Sequence, residues 1–224
     1  MIRLLTRRNR AQVSQAALSP SRYHGSLDAI TDSERRALRP IGLSAYEVAV
    51  RTGALLAVLA AVPGVRIFQG VRAADGDLPR IAHAVSAGRR LLLVESVAWP
   101  PGRYAAAANG RIYCDGAYTG QSVRPLLAAV RYWRATLPPR HQVRALIVVH
   151  LITEGALALP SAGPDLGWIR ADDAASGLRV FLPRRRQAIS SGAVAVLVAA
   201  TEAGAGVSRG GPRGDFRYGE EEIR

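Results

Sequence analysis

The segment Arg144 to Leu151, RALIVVHL, constrains the fold more than any other part of the chain, because it is almost continuously apolar and β-branched. Such a strand has no face to give to water, so it belongs at the centre of a sheet covered on both sides. The flanking segments agree. Ser44, with Glu47 three residues on, is a capping-box signature ahead of Val48, Leu55, Leu56 and Leu59, and predicts a helix running to Pro63. Three β-type runs follow, Val65 to Val71, Arg80 to Ser86 and Arg90 to Glu95, separated by turn signals at Asp75-Gly76-Asp77 and Ala87-Gly88. They read as an antiparallel meander. Arg103 to Ala108 and Arg111 to Cys114 flank Asn109-Gly110, which predicts a hairpin closed by a type I′ turn. Gln121 to Leu137 reads as a second helix, with Leu126, Leu127, Val130 and Trp133 at helical spacing and Pro138-Pro139 behind it. After the buried strand, strands are expected near Leu166 to Arg170 and Leu178 to Leu182. The apolar run Gln187 to Ala203 suits either helix or strand.

At 224 residues the chain has room for a single domain with tails. The expected division is a loosely attached basic arm over 1–40, carrying Arg3, Arg7, Arg8 and Arg10, a domain over 41–204, and a disordered tail over 205–224. All 30 basic residues are arginine, and against 17 acidic residues they give a net charge of +13. A surplus of that size favours polyanionic partners. The absence of lysine excludes a P-loop and Schiff-base chemistry. The single cysteine, Cys114, excludes an intramolecular disulfide and CxxC zinc sites. Ala54 to Val62, the longest strongly apolar stretch, is about half the ~20 residues needed to cross a bilayer. The start, MIRLLTRRNR, has no leader pattern, so the expectation is a cytoplasmic protein with no membrane partner.

Arg80-Ile81-Ala82-His83-Ala84-Val85, then Leu91 to Trp99 (LLLVESVAW), then Gly102, together with the element order, resemble the nuclease-related domain (NERD) family. The resemblance implies a restriction-endonuclease-like PD-(D/E)XK fold, an α/β mixed sheet flanked by helices. It also implies metal-dependent phosphodiester hydrolysis by an aspartate, a glutamate and a lysine. Glu47 falls on the family's helix-one glutamate, His83 on the histidine after its aspartate, and Glu95 on the glutamate of its ExK. Ala82 stands where the aspartate belongs and Val97 where the lysine belongs. Gln121, Ser122 and Pro125 replace the helix-two signature. One of the three catalytic groups remains, whereas holding Mg²⁺ against a phosphate takes at least two acidic ligands and a group to orient water.

The reading is therefore a module with a degenerate catalytic centre that binds nucleic acid, DNA in the first instance, or acts as an accessory, with no cofactor. One alternative is a Mg²⁺-dependent DNA nuclease with relocated ligands, Glu95 with Asp77 or Asp75 from the preceding turn. Another is a protein-interaction scaffold. For binding, Arg124, Arg131 and Arg134 recur on one side of helix two, Arg184-Arg185-Arg186 form a cluster, and Trp99, Tyr104 and Tyr113 offer rings for stacking. Neither Cys114 nor Gly204-Ala-Gly206 has the context of a nucleophile or a dinucleotide loop. A nuclease-derived fold further requires the side chains of Ala82, Glu95 and Val97 to converge at one sheet edge, with Glu47 facing them.

Overall fold

The computed structural model describes residues 22–28, 30–32, 37–73, 78–181 and 191–202. The elements are β1 (Tyr23–Gly25), α1 (Ala45–Leu56), β2 (Val65–Val71), β3 (Ile81–Ala87), β4 (Arg90–Trp99), β5 (Gly102–Ala106), β6 (Arg111–Cys114), β7 (Ala117–Ser122), α2 (Arg124–Thr136), β8 (Gln142–Leu151), β9 (Leu157–Ala158), β10 (Leu166–Arg170), α3 (Ala174–Phe181) and α4 (Ser191–Glu202). Two 3-10 turns, Ala57–Ala61 and Ala171–Asp173, precede β2 and α3.

Six strands form a mixed sheet in the order β1-β2-β3-β4-β8-β10. The meander β2, β3, β4 is antiparallel as expected, and β8 lies parallel to β4 from Arg90↔Gln142 to Trp99↔Leu151. The unbroken apolar run is indeed buried on both faces. Val143, Ala145, Ile147 and Val149 join Leu91, Leu93, Val97 and Trp99 beneath α2 and α4, while Leu146 and Val148 join Leu92 and Val94 beneath α1 and α3. Among the described residues no helix is long and apolar enough to cross a membrane.

The capping box forms in full. Ser44 Oγ accepts the Glu47 N–H at 3.2 Å, and Glu47 Oε2 accepts the Ser44 N–H at 2.8 Å. A smaller sheet, β7-β6-β5-β9, projects from the end of β4. Trp99 fixes it to the core: its ring stacks on Tyr104 at 4.1 Å, and its Nε1 donates to Gln121 Oε1 at 3.1 Å. The Gln121 amide in turn donates to the Arg39 carbonyl. Stacked aromatic pairs add about 0.5–1.5 kcal/mol beyond their burial, so the attachment is firm.

One irregularity shared by β2 and β3 decides where the nearby side chains point. Phe68 and Val71, three residues apart, both enter the core beneath α2 and α4, and so do Ile81 and Ala84. A regular strand returns to the same face only at even spacing. The reversal falls at Gly70, whose φ is +65°, where the register passes from Gln69↔His83 to Val71↔Ile81. Arg80 Nη1 donates to the Gly70 carbonyl at 2.8 Å, holding the kink from within. Ala82 is turned to the opposite side, where it packs against Ala45 and Ala49 of α1 and against Leu27 and Ile30.

Several expectations are corrected. The described residues among 22–40 are not loosely attached: β1 pairs with β2, His24 stacks on Phe68 at 5.0 Å, and Leu27, Ile30 and Leu38 are buried. The first helix passes into a 3-10 turn at Ala57. Helix two starts at Arg124, because Gln121 and Ser122 belong to β7, and Pro125 stands in its first turn, where a missing N–H costs nothing. The turn at Asn109-Gly110 has positive φ at Gly110 and not at Asn109, with Gly110 N–H donating to the Ala107 carbonyl. That is a three-residue loop with a left-handed glycine, not a type I′ turn. The strand expected at Leu178 to Leu182 is α3 as far as Phe181. Ala174, Leu178 and Phe181 share its apolar face, and Val180 is 79% exposed. The Gln187 to Ala203 run is helical over Ser191–Glu202. The 205–224 tail lies outside the described residues.

Candidate functional site

Glu95 sits on β4 in the side-chain period of Leu93 and Val97 and so faces α2. It is 3% exposed and lines a cavity of about 20 Å³ with Leu38, Ile81, Pro125 and Leu126, space for a single water molecule. The β3–β4 ladder ends at His83↔Val94. One residue further, Glu95 Oε1 accepts the Ala82 backbone N–H at 3.1 Å. The carboxylate thus receives the N–H that the kink removes from the ladder. Leaving such a group unmet costs about 1–3 kcal/mol.

The expected convergence does not occur. Ala82 packs against α1 and Glu95 against α2, on opposite faces of the sheet. His83, opposite Val94, shares the α1 face and is fully buried beneath Gly53, where an added Cβ would lie 3.0 Å from its Nε2. Glu47 is exposed and committed to the helix cap; the hydrogen bonds from the Ser44 backbone and hydroxyl hold its carboxyl below the usual pKa. It stands roughly 200° around α1 from Ala45, which packs over Ala82, so it points away. Val97 does accompany Glu95, as a fully buried core residue. An aspartate at position 82 would not point at Glu95. Strict strand alternation gave no sign of the kink responsible.

The surroundings of Glu95 do not fit Mg²⁺, whose shell is built from oxygen donors. Apart from Glu95 and Ser122, the described lining of the cavity is apolar. Among the described residues no group of three His, Cys, Asp or Glu is placed to hold a metal. Asp75 and Asp77 lie outside the described residues.

The arginine stripe is shorter than expected. Arg124 and Arg131 are exposed on α2, but Arg134 Nη2 is bound to Asp165 Oδ1 at 2.6 Å and to the Val143 carbonyl at 2.9 Å. Arg184, Arg185 and Arg186 lie outside the described residues. Trp99 and Tyr104 are buried, which withdraws them as stacking platforms. Tyr113 is half-buried. It faces Tyr118, a residue passed over in the sequence, which is 51% exposed, with ring centroids 5.7 Å apart. The Arg111 guanidinium lies over the Tyr118 ring, 5.3 Å from its centroid. Arg103 and Ala105 of β5 are exposed, and Ala105 pairs with Tyr113. Strand alternation therefore puts Arg103, Arg111, Tyr113 and Tyr118 on one outer face of the small sheet, opposite the inward Tyr104 and Ile112.

A second arrangement involves residues the sequence did not single out. Ser96 Oγ donates to Thr52 Oγ1 at 2.7 Å, and Thr52 Oγ1 lies 2.8 Å from His150 Nε2, all three buried between the sheet and α1. Burial, and secondarily the Arg51 guanidinium, lowers the His150 pKa from 6.5 to about 4, so the ring is neutral at pH 7. His150 lines a cavity of about 530 Å³ at the C-terminal ends of β8 and β10, together with Arg51, Glu154, Arg170 and Asp172. Ligand sites of open α/β sheets commonly lie at such strand ends. The sequence signals were one polar residue near the end of an apolar strand and a threonine on the buried side of α1.

The chain matches no protein-family model, no curated protein and no solved structure.

Proposed function

We propose that this chain binds nucleic acid without cleaving it, and that it holds a single-stranded stretch on the outer face of β5, β6 and β7. The observation that carries this reading is the juxtaposition on that face of two exposed arginines, Arg103 and Arg111, with the exposed ring of Tyr118 and the half-exposed ring of Tyr113. Single strands are bound by such combinations, because unpaired bases stack on aromatic rings while cations track the phosphates. The net charge of +13 supports a polyanionic partner. Apart from the inserted strands β5 to β7, the order α1, β2, β3, β4, α2, β8, with β8 parallel to β4, is in keeping with a restriction-endonuclease-like ancestry. The division of Ala82 and Glu95 between two faces weighs against hydrolysis.

Fluorescence anisotropy with labelled oligothymidylate, oligouridylate and a matched DNA duplex tests the proposal. Single strands should bind more tightly than duplex, and binding should weaken steeply between about 50 and 200 mM salt as counterion release loses its drive. Tyr118→Ala should cost about 1–3 kcal/mol, the range for losing one base–aromatic stack. Arg111→Gln should flatten the salt slope by about 0.7. Arg134→Gln should change neither. No binding at low salt, or binding indifferent to Tyr118 and Arg111, refutes the proposal. The first outcome would favour the scaffold reading, for which Ile41, Tyr46 and Val50 supply exposed apolar surface.

A further inference from the structure

We infer that the cavity at the C-terminal ends of β8 and β10 is a binding site for a small zwitterion, a free amino acid or short peptide with one carboxylate and one ammonium group. Its volume of about 530 Å³ falls within the ~300–1,000 Å³ typical of small-molecule pockets. The charges on its walls indicate the ligand. α1 contributes Arg51, the loop after β8 contributes Glu154, the end of β10 contributes Arg170, and the 3-10 turn behind it contributes Asp172. Arg170 and Asp172 form an ion pair at 3.5 Å. Among the described residues neither Arg51 nor Glu154 makes one. A cation and an anion from two different elements therefore line the same open volume without an ion pair among the described residues.

His150 is neutral, with its Nε2 engaged by Thr52, so it adds a polar surface and no charge. A simple anion would meet Arg51 but also the repulsion of Glu154, and a simple cation the reverse. A ligand carrying both groups satisfies both walls. The guanidinium accommodates a carboxylate through two parallel hydrogen bonds, and Glu154 accepts from an ammonium group. The site is separate from the outer face of the small sheet, and the two proposals stand or fall independently.

The test is a titration of the full chain followed through the His150 imidazole resonances, assigned with His150→Gln. The probes are dialanine, N-acetyl-dialanine, dialanine amide, each free amino acid and inorganic phosphate. Saturable shifts are expected with dialanine or with at least one free amino acid. Capping either end of the binding zwitterion should weaken it about tenfold or more, as expected for loss of a hydrogen bond to a charged group. Arg51→Gln should abolish the preference for a free carboxylate and leave that for a free ammonium, and Glu154→Gln should do the opposite. Both positions are exposed, so neither variant threatens folding. Absence of saturable binding by dialanine and by every amino acid overturns the inference. So does phosphate binding as tightly as any zwitterion, or capping preferences that survive both substitutions.

Discussion

Gly70→Ala tests the kink that separates Ala82 from Glu95. The φ of +65° at Gly70 costs an alanine about 1–2 kcal/mol. A Cβ at this position would also overlap the Ser26 carbonyl oxygen. That carbonyl cannot retreat freely, because the preceding Gly25 is held in register with Gln69 by the β1–β2 pairing. Overpacking of this kind adds about 1–3 kcal/mol, giving a total of about 2–5 kcal/mol, a large share of the ~5–15 kcal/mol available to a typical domain. Gly42→Ala isolates the two contributions, since Gly42 has φ +71° with nothing within 4 Å of an added Cβ. It should lose only the conformational part. In urea denaturation, with a slope of ~2 kcal/mol/M, the midpoint of Gly70→Ala should fall about 0.5–1.5 M below that of Gly42→Ala. Coincident midpoints would refute the argument that β1 and the kink are packed against each other.

Glu95→Ala should destabilise the fold by about 2–4 kcal/mol in the same assay, through the buried Ala82 N–H and the space left behind, whereas Glu95→Gln, which keeps an acceptor oxygen, should cost less. Stability should carry a contribution from His150 that is fully present above about pH 6.5 and lost as pH falls towards 4: the unfolded ring takes up a proton in that window and the folded ring does not. The wild-type curve should therefore fall more steeply than that of His150→Gln across the window, by at most about 1.4 kcal/mol per unit; parallel curves would show that the ring is not held neutral. Thr52→Val should cost about 1–3 kcal/mol in urea denaturation, because Ser96 and His150 lose the hydroxyl between them.

The elements legible in the sequence were those whose cause is local. The capping box needs only Ser44 and Glu47, and the buried run of β8 states its own position because no face of it tolerates water. Where a segment answers to distant partners, the pattern misled. Leu178 and Val180 alternate like a strand, yet the segment is held as a helix by Ala174, Leu178 and Phe181 meeting the core. β7, AYTGQS, has no apolar alternation, and its place is set by pairing with β6 and by Gln121 binding the Trp99 indole. The candidate site failed at the same level. Parity along β3 put Ala82 beside Glu95, and the reversal shows only in the packing, where Phe68 and Val71, and likewise Ile81 and Ala84, enter one core three residues apart. Thr52, Ser96 and His150 come from three separate segments that no local spacing connects.

The three residues of β1 bear on how the chain can be shortened. They close the outer edge of β2, whose sequence VRIFQGV combines β-branched and aromatic residues over the full strand. Uncovered, such an edge offers a row of unmet N–H and C=O groups to another chain, which is how strand-mediated aggregation begins. A truncation placed after residue 28 would keep α1 and the rest of the sheet yet convert a closed border into an adhesive one. Insolubility of that fragment would then be a property of the missing edge and say nothing against the foldedness of the remainder.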